Sequence, residues 1–243
     1  MTSSKRGMGS ILVMAALVFS GCHKSPFERT RDANGSSGTG SITGSKHLVV
    51  FSNELKTGGG AFLYPGSENQ TLSFSDTSNP VSARSVRYVW NGGDVSNPSC
   101  PPAEHTFAGF DLMQTPFQTT FITSPARNLT GSGYGKVTFY ARGSLGANVI
   151  VKIEVAAPGF AGGCGTPPPA PCIVLSSDGL TDSTPACGTR GALDGSWKSF
   201  STSGLAPSDL ASIRDFFKAT MIYAGAGTGT GGTVYFDQIE YAP

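Results

Sequence analysis

The sequence predicts an all-β fold, a two-sheet antiparallel β-sandwich of jelly-roll type with one short helical turn or segment. Three observations carry this. Charged residues make up only 14% of the 243 residues while glycine numbers 33, a composition poor in the charged residues that cover surface helices. Short apolar runs recur at close intervals, bounded by Gly, Pro, Asn, Asp and Ser. Helical character is confined to one stretch, 207–221, and its second half also reads as a strand.

In chain order the strand signals are 48–53, 61–64, 71–75, 85–91, 106–114, 136–142, 148–156, 196–202, 216–223 and 233–241. About ten strands in a domain of this length is the number that two packed sheets require. Alternation assigns faces, because successive side chains of a strand point to opposite sides. In 85–91, Val86, Tyr88 and Trp90 turn inward, and Arg87, Val89 and Asn91 outward. In 136–142, Val137, Phe139 and Ala141 are core, and Lys136, Thr138, Tyr140 and Arg142 lie opposite. In 148–156, Val149, Val151, Ile153 and Val155 are core, against Ile150, Lys152 and Glu154. If these strands are neighbours, one solvated face carries Arg87, Tyr140, Arg142, Lys152 and Glu154. That face is either a plain polar sheet surface or a ligand-binding face with an aromatic platform.

The sandwich occupies 47–243. Ahead of it, Lys5 and Arg6 precede an apolar stretch, Ile11 to Phe19, which is of signal-peptide length and too short for the ~20 residues of a transmembrane helix. Phe19-Ser20-Gly21-Cys22 resembles the lipobox of bacterial lipoproteins. The resemblance implies a signal peptide over 1–21, lipid on Cys22, and a membrane anchor that keeps the protein in the cell envelope, extracytoplasmic, at an outer membrane or the cell surface. An ordinary signal peptide with a chance cysteine is the alternative. Residues 22–46 include a Gly/Ser-rich tract from Asn34 to Ser45 that cannot bury a core and reads as a flexible tether.

Four cysteines remain in the domain: Cys100, Cys164, Cys172 and Cys187. An even number in an exported chain implies two disulfides. Three connectivities are possible; the favoured one joins Cys172 to Cys187 around Ile173-Val174-Leu175, and Cys100 to Cys164. Three of the four sit in one Gly/Pro-rich insert, 158–195. No C-x-x-C pair is present to indicate zinc.

Five blocks, taken together, resemble the jelly-roll domains of carbohydrate-binding modules, the galactose-binding-like sandwiches. They are Val49-Val-Phe-Ser-Asn-Glu-Leu55, Ser85-Val-Arg-Tyr-Val-Trp-Asn-Gly-Gly93, Lys136-Val-Thr-Phe-Tyr-Ala-Arg-Gly143, Trp197-Lys198 with Ser203-Gly204-Leu205, and Thr233-Val-Tyr-Phe-Asp-Gln-Ile239. The resemblance implies a glycan-binding sandwich, often with a structural calcium. By that likeness Glu54 and Asp237, on the opening and closing strands, are the candidate calcium ligands. Equally, Asp237 serves as a hydrogen-bond acceptor for a turn. The insert departs from the family pattern.

Other chemistries find little support. The 17 Lys and Arg face 16 Asp and Glu, and two of the basic residues lie in the leader, so no basic footprint for nucleic acid exists. The histidines are His23, His47 and His105, with no Gly-x-Ser-x-Gly elbow beside them. Glycoside hydrolysis needs two carboxylates across a cleft; Asp111 with Glu154 is one conceivable pair. Trp90 and Trp197 are assigned to the core, since large aromatics dominate sandwich cores. Tyr64 and Tyr134 are read as loop aromatics available for stacking. The expectation is therefore a monomeric lipoprotein binding a glycan or polysaccharide without catalysis, through Tyr140, Arg142, Lys152 and their neighbours. A structural or protein-interaction lipoprotein is the runner-up, and a small glycan-active enzyme the third reading.

Overall fold

The computed structural model describes residues 47–55, 60–63, 69–93, 107–113, 126–158, 170–177, 187, 189–223 and 230–243. Its strands are β1 (Leu48–Ser52), β2 (Glu54–Leu55), β3 (Gly60–Leu63), β4 (Gln70–Asp76), β5 (Ser85–Trp90), β6 (Phe107–Met113), β7 (Lys136–Leu145), β8 (Val149–Ala157), β9 (Cys172–Ser176), β10 (Thr189–Ala192), β11 (Lys198–Ser203), β12 (Asp215–Tyr223) and β13 (Gly232–Ala242). Every one of the ten expected strands is present. β2, β9 and β10 are additional, the last two inside the cysteine insert.

The strands form two sheets. Sheet I runs β11-β7-β13, and β13 then divides its free edge. Its first half pairs with β5, which pairs with β4; its second half pairs with β1, which pairs with β2. A register shift between Asp237 and Glu240 marks the division, and Gln238 there has φ 47°. Sheet II runs β10-β9-β8-β12-β6-β3. It is mixed, because β10 pairs with β9 in parallel. The helical character read at 207–221 reduces to consecutive turns, in which the N–H groups of Asp209, Leu210 and Ala211 reach the carbonyls of Ala206, Pro207 and Ser208. The remainder is strand β12.

The core lies between the sheets. Alternation holds throughout: Val86, Tyr88 and Trp90, then Val137, Phe139 and Ala141, then Val149, Val151, Ile153 and Val155 are all buried inside. Phe139 and Phe236 of sheet I meet Phe217 of sheet II edge to face at centroid distances of 5.3 and 5.2 Å, and Phe110 meets Tyr88 at 5.1 Å. Such pairs add about 0.5–1.5 kcal/mol each beyond their area. One polar strut crosses this layer. The Tyr241 hydroxyl, fully buried, accepts from Ala156 N (2.9 Å) and donates to Phe216 O (2.7 Å). Ala156 has φ 53°, and Phe216 sits where the register of β12 shifts, so the phenol serves two backbone groups displaced from the regular ladder. Tyr134 lies in the loop before β7, as expected, but it packs against Tyr241 and is buried, so it is not available for stacking.

β7 and β8 are consecutive yet belong to opposite sheets. The turn between them is tight, with Val149 N bonded to Gly146 O and Asn148 at φ 59°. It carries the chain over the edge of the sandwich beside Gly231. A Cβ on Gly231, whose φ is +69°, would lie 1.9 Å from the Trp90 carbonyl, so only glycine fits there.

Candidate functional site

This crossover separates the residues expected on a single face. Arg87, Tyr140 and Arg142 stand on the outer face of sheet I. Lys152 and Glu154 stand on the outer face of sheet II, on the far side of the molecule. Alternation identified the outward residues of each strand correctly, and the assumption that β7 and β8 are neighbours is corrected.

On sheet I the outward residues of four strands line up. Tyr235 of β13 lies across from Arg142 of β7 on one side and Arg87 of β5 on the other, and Arg87 lies across from Ser73. Lys198 pairs with Ala141, which brings Trp197, one residue before β11, level with Arg142. The Arg142 guanidinium sits 4.1 Å from the Tyr235 ring centroid and 5.2 Å from that of Trp197. Both are within cation–π range. Trp197, Tyr235, Arg142 and Arg87 are half-buried. Trp197 is thus outward, contrary to the expectation of a core position; of the two tryptophans only Trp90 is core, 1% exposed. Parity would have placed it correctly: Phe200 stacks inward on Phe139, so residues 197, 199 and 201 face out. Tyr235, between inward Val234 and Phe236, was readable in the same way. Tyr140 lies in the next row, across from Asp237 and Ser199.

The segment from Thr77 to Arg84, between β4 and β5, leans over this face. Arg142 Nη2 donates to Ser78 O, and Trp197 Nε1 donates to Asn79 O. Ser82 donates its N–H to Asp237 Oδ2 (2.8 Å) and its hydroxyl to Oδ1 (2.7 Å), and Gln238 N also reaches Oδ1 (2.8 Å). Ala83 N bonds to Asn53 Oδ1. Asp237 is fully buried; its carboxylate is solvated by three protein donors, which anchor the segment. Calcium requires roughly 6–8 oxygen ligands. Glu54 is exposed, and no group of three or more His, Cys, Asp or Glu gathers among the described residues. The Asp237 donor set fits a hydrogen-bonded anchor and does not fit a calcium ion shared with Glu54.

On sheet II the outward residues form a charged row. Cross-strand pairing sets Glu154 of β8 beside Lys218 of β12, and Lys218 beside Asp111 of β6. Glu154 Oε1 lies 2.8 Å from Lys152 Nζ, and Oε2 lies 3.1 Å from Lys218 Nζ. Burial pushes the Glu154 carboxyl up, but Lys218 and Lys152 together hold it below the ordinary glutamate value. Burial raises Asp215 to about 6, with the Glu154 charge adding and Lys218 opposing. Lys218 stays charged because Asp111, Glu154 and Asp215 outweigh its desolvation. Thr220 Oγ1, one row away, is buried without an acceptor or donor among the described residues. Alongside, Ile150, Val174 and Ile222 pack with the Cys172–Cys187 disulfide, so the insert covers this end of the sheet. The favoured Cys172–Cys187 pairing is present; Cys100 and Cys164 lie outside the described residues, as do Cys22, Tyr64 and His105.

No family model matches the chain, and no curated protein matches it. Solved structures are similar to it at low identity. A family 30 carbohydrate-binding module is 12% identical with a TM-score of 0.42, covering 81% of this chain and 87% of the module. A family 11 carbohydrate-binding module from Clostridium thermocellum, in complex with a β-1,3-1,4-mixed-linked tetrasaccharide, is 13% identical with a TM-score of 0.38, covering 80% and 94%. The K2 cleaved adhesin domain of Lys-gingipain is 11% identical with a TM-score of 0.37, covering 80% and 97%. The chain is a two-sheet β-sandwich presenting a row of outward aromatic and cationic side chains.

Proposed function

We propose that this protein binds carbohydrate without catalysis, on the outer face of sheet I, and that lipid on Cys22 holds it at a membrane surface outside the cytoplasm. The observation that carries the glycan assignment is the Trp197–Arg142–Tyr235 stack. Two partly exposed rings flank a guanidinium in one row, with Arg87 beside them and Tyr140 in the next row. Binding sites generally combine apolar walls with a few placed polar groups, and sugars offer C–H faces to rings and hydroxyls to donors.

The enzyme reading draws on Asp111 and Glu154 of sheet II, on the two strands that flank β12 with its Asp215. Glu154 is engaged by two ammonium groups, and all three carboxylates are at most 4% exposed, which is the geometry of a structural ion cluster. A panel of polysaccharides in affinity electrophoresis tests the proposal: at least one should retard the wild-type protein and not the folded Tyr235→Ala variant. Failure across a broad panel would leave the structural or protein-interaction role.

A further inference from the structure

We infer that the glycan recognised by this face is anionic, a polysaccharide bearing carboxylate or sulfate groups; the inference builds on the glycan-binding role proposed above. Its basis is a charge that the fold leaves uncompensated. Lys152 and Lys218 share Glu154, Lys198 pairs with Asp194, and His47 pairs with Glu240. Arg87 and Arg142 have no carboxylate partner among the described residues. Of the acids around the face, Asp237 is turned to Ser82 and Gln238, and Asp76 accepts from the N–H and hydroxyl of Ser78. Arg142 is held more tightly still, between two rings, with its Nε–H buried and lacking an acceptor. A half-buried cation without a counter-charge has lost part of its hydration uncompensated, so this row is a place where an anion gains.

The geometry defines the ligand further. Arg142 and Arg87 stand on the two strands that flank β13, with Tyr235 between them. Neighbouring strands are about 4.8 Å apart, so the two guanidinium-bearing strands are separated by roughly 10 Å. The Arg87 guanidinium offers a planar fork matched to a carboxylate or sulfate. Arg142, whose Nη2 is given to Ser78 O and whose Nε–H is buried, adds its charge, and the exposed part of the Tyr235 ring offers apolar surface to a sugar. Acidic groups repeated along a saccharide would meet the Arg87 fork and the Arg142 charge while a sugar ring lies against the exposed part of Tyr235. Net charge for the chain is only +1, so the excess is local and not a general attraction for polyanions. Two arginines also fall far short of the phosphate-tracking footprint that nucleic acid requires.

Isothermal titration of the full chain in detergent would use four probes: oligogalacturonate for the carboxylate, a sulfated galactan oligosaccharide for the sulfate, cellohexaose as the neutral glycan, and oligo-dT. The expected result is that one or both acidic glycans bind at least about tenfold more tightly than cellohexaose. Arg87→Gln should weaken that binding by about tenfold, with Arg87→Lys intermediate, and affinity should fall as salt is raised. Arg87 has no ion-pair partner to leave behind, so both variants should fold. Equal or tighter binding of cellohexaose, with Arg87→Gln silent, would overturn the anionic assignment while leaving glycan binding in place. Oligo-dT binding as tight as the acidic glycans would overturn it in favour of a generic polyanion surface. No binding of any saccharide would remove both the inference and the function beneath it.

Discussion

Replacing Tyr241 by Phe removes one oxygen from the centre of the sandwich and keeps the ring. The hydroxyl is the partner of Ala156 N at 2.9 Å and of Phe216 O at 2.7 Å, and burial raises its pKa so that it stays protonated. The substitution opens almost no cavity, so the transfer and cavity costs of core truncation do not apply. What it leaves is one donor and one acceptor without this partner in an interior of 0% exposure. Each such group costs about 1–3 kcal/mol; at about 1.5 kcal/mol each the sum is about 3 kcal/mol. For a domain of 150–250 residues that corresponds to a fall of roughly 6–12 °C in Tm. Urea titration should show the same loss as a lower midpoint at unchanged slope, since the native surface is unaltered. A shift below about 2 °C would show that the two displaced backbone groups are satisfied without the phenol. The joint between β8 and β12 would then not depend on it.

Three further perturbations follow from the geometry. Breaking the Cys172–Cys187 bridge, with 15 residues of separation, should cost about 3 kcal/mol by loop entropy; thermal melts of the Cys172→Ser/Cys187→Ser variant would measure it, and an unchanged Tm would contradict it. The pH profile of stability should bend twice. Asp215, raised to about 6 in the fold, binds its proton more readily when folded, so stability should rise as pH falls from about 6 toward the ordinary aspartate range; Glu154, depressed in the fold, contributes stability above the ordinary glutamate range that is lost as pH falls further. Asp215→Asn should abolish the first bend and keep the second. Chelator should leave Tm unchanged, because protein donors already surround Asp237; a chelator-dependent fall that Asp237→Ala abolishes would restore a calcium site there.

The strands were legible because apolar alternation and Gly/Pro punctuation are local signals, and these set which residues of a strand face in. Sheet membership is not local. Nothing in 136–156 records that β7 and β8 part company at Asn148, and that single crossover divides Tyr140 and Arg142 from Lys152 and Glu154. Lys218 escaped notice for a related reason. It belongs to a strand that was expected, but its role as the cation between Glu154 and Asp111 depends on register with β6 and β8. Trp197 shows the opposite case. Its outward placement was written in the parity of β11 and was overridden by the general preference of tryptophan for cores. β9 and β10 went unread because their parallel pairing joins two short segments across the disulfide loop.

The central claim, that a glycan seats on the Trp197–Tyr235 row, is tested most directly by tryptophan emission. Trp90 is buried at 1% exposure and Trp197 lies on the binding face, so acrylamide quenching reports chiefly on Trp197. Saturating a retarded polysaccharide should shield that component from acrylamide, and Trp197→Phe, which keeps buried Trp90 as an internal reference, should lose the shielding. Binding that proceeds with Trp197 still fully quenchable would place the glycan elsewhere on the sandwich and contradict the account.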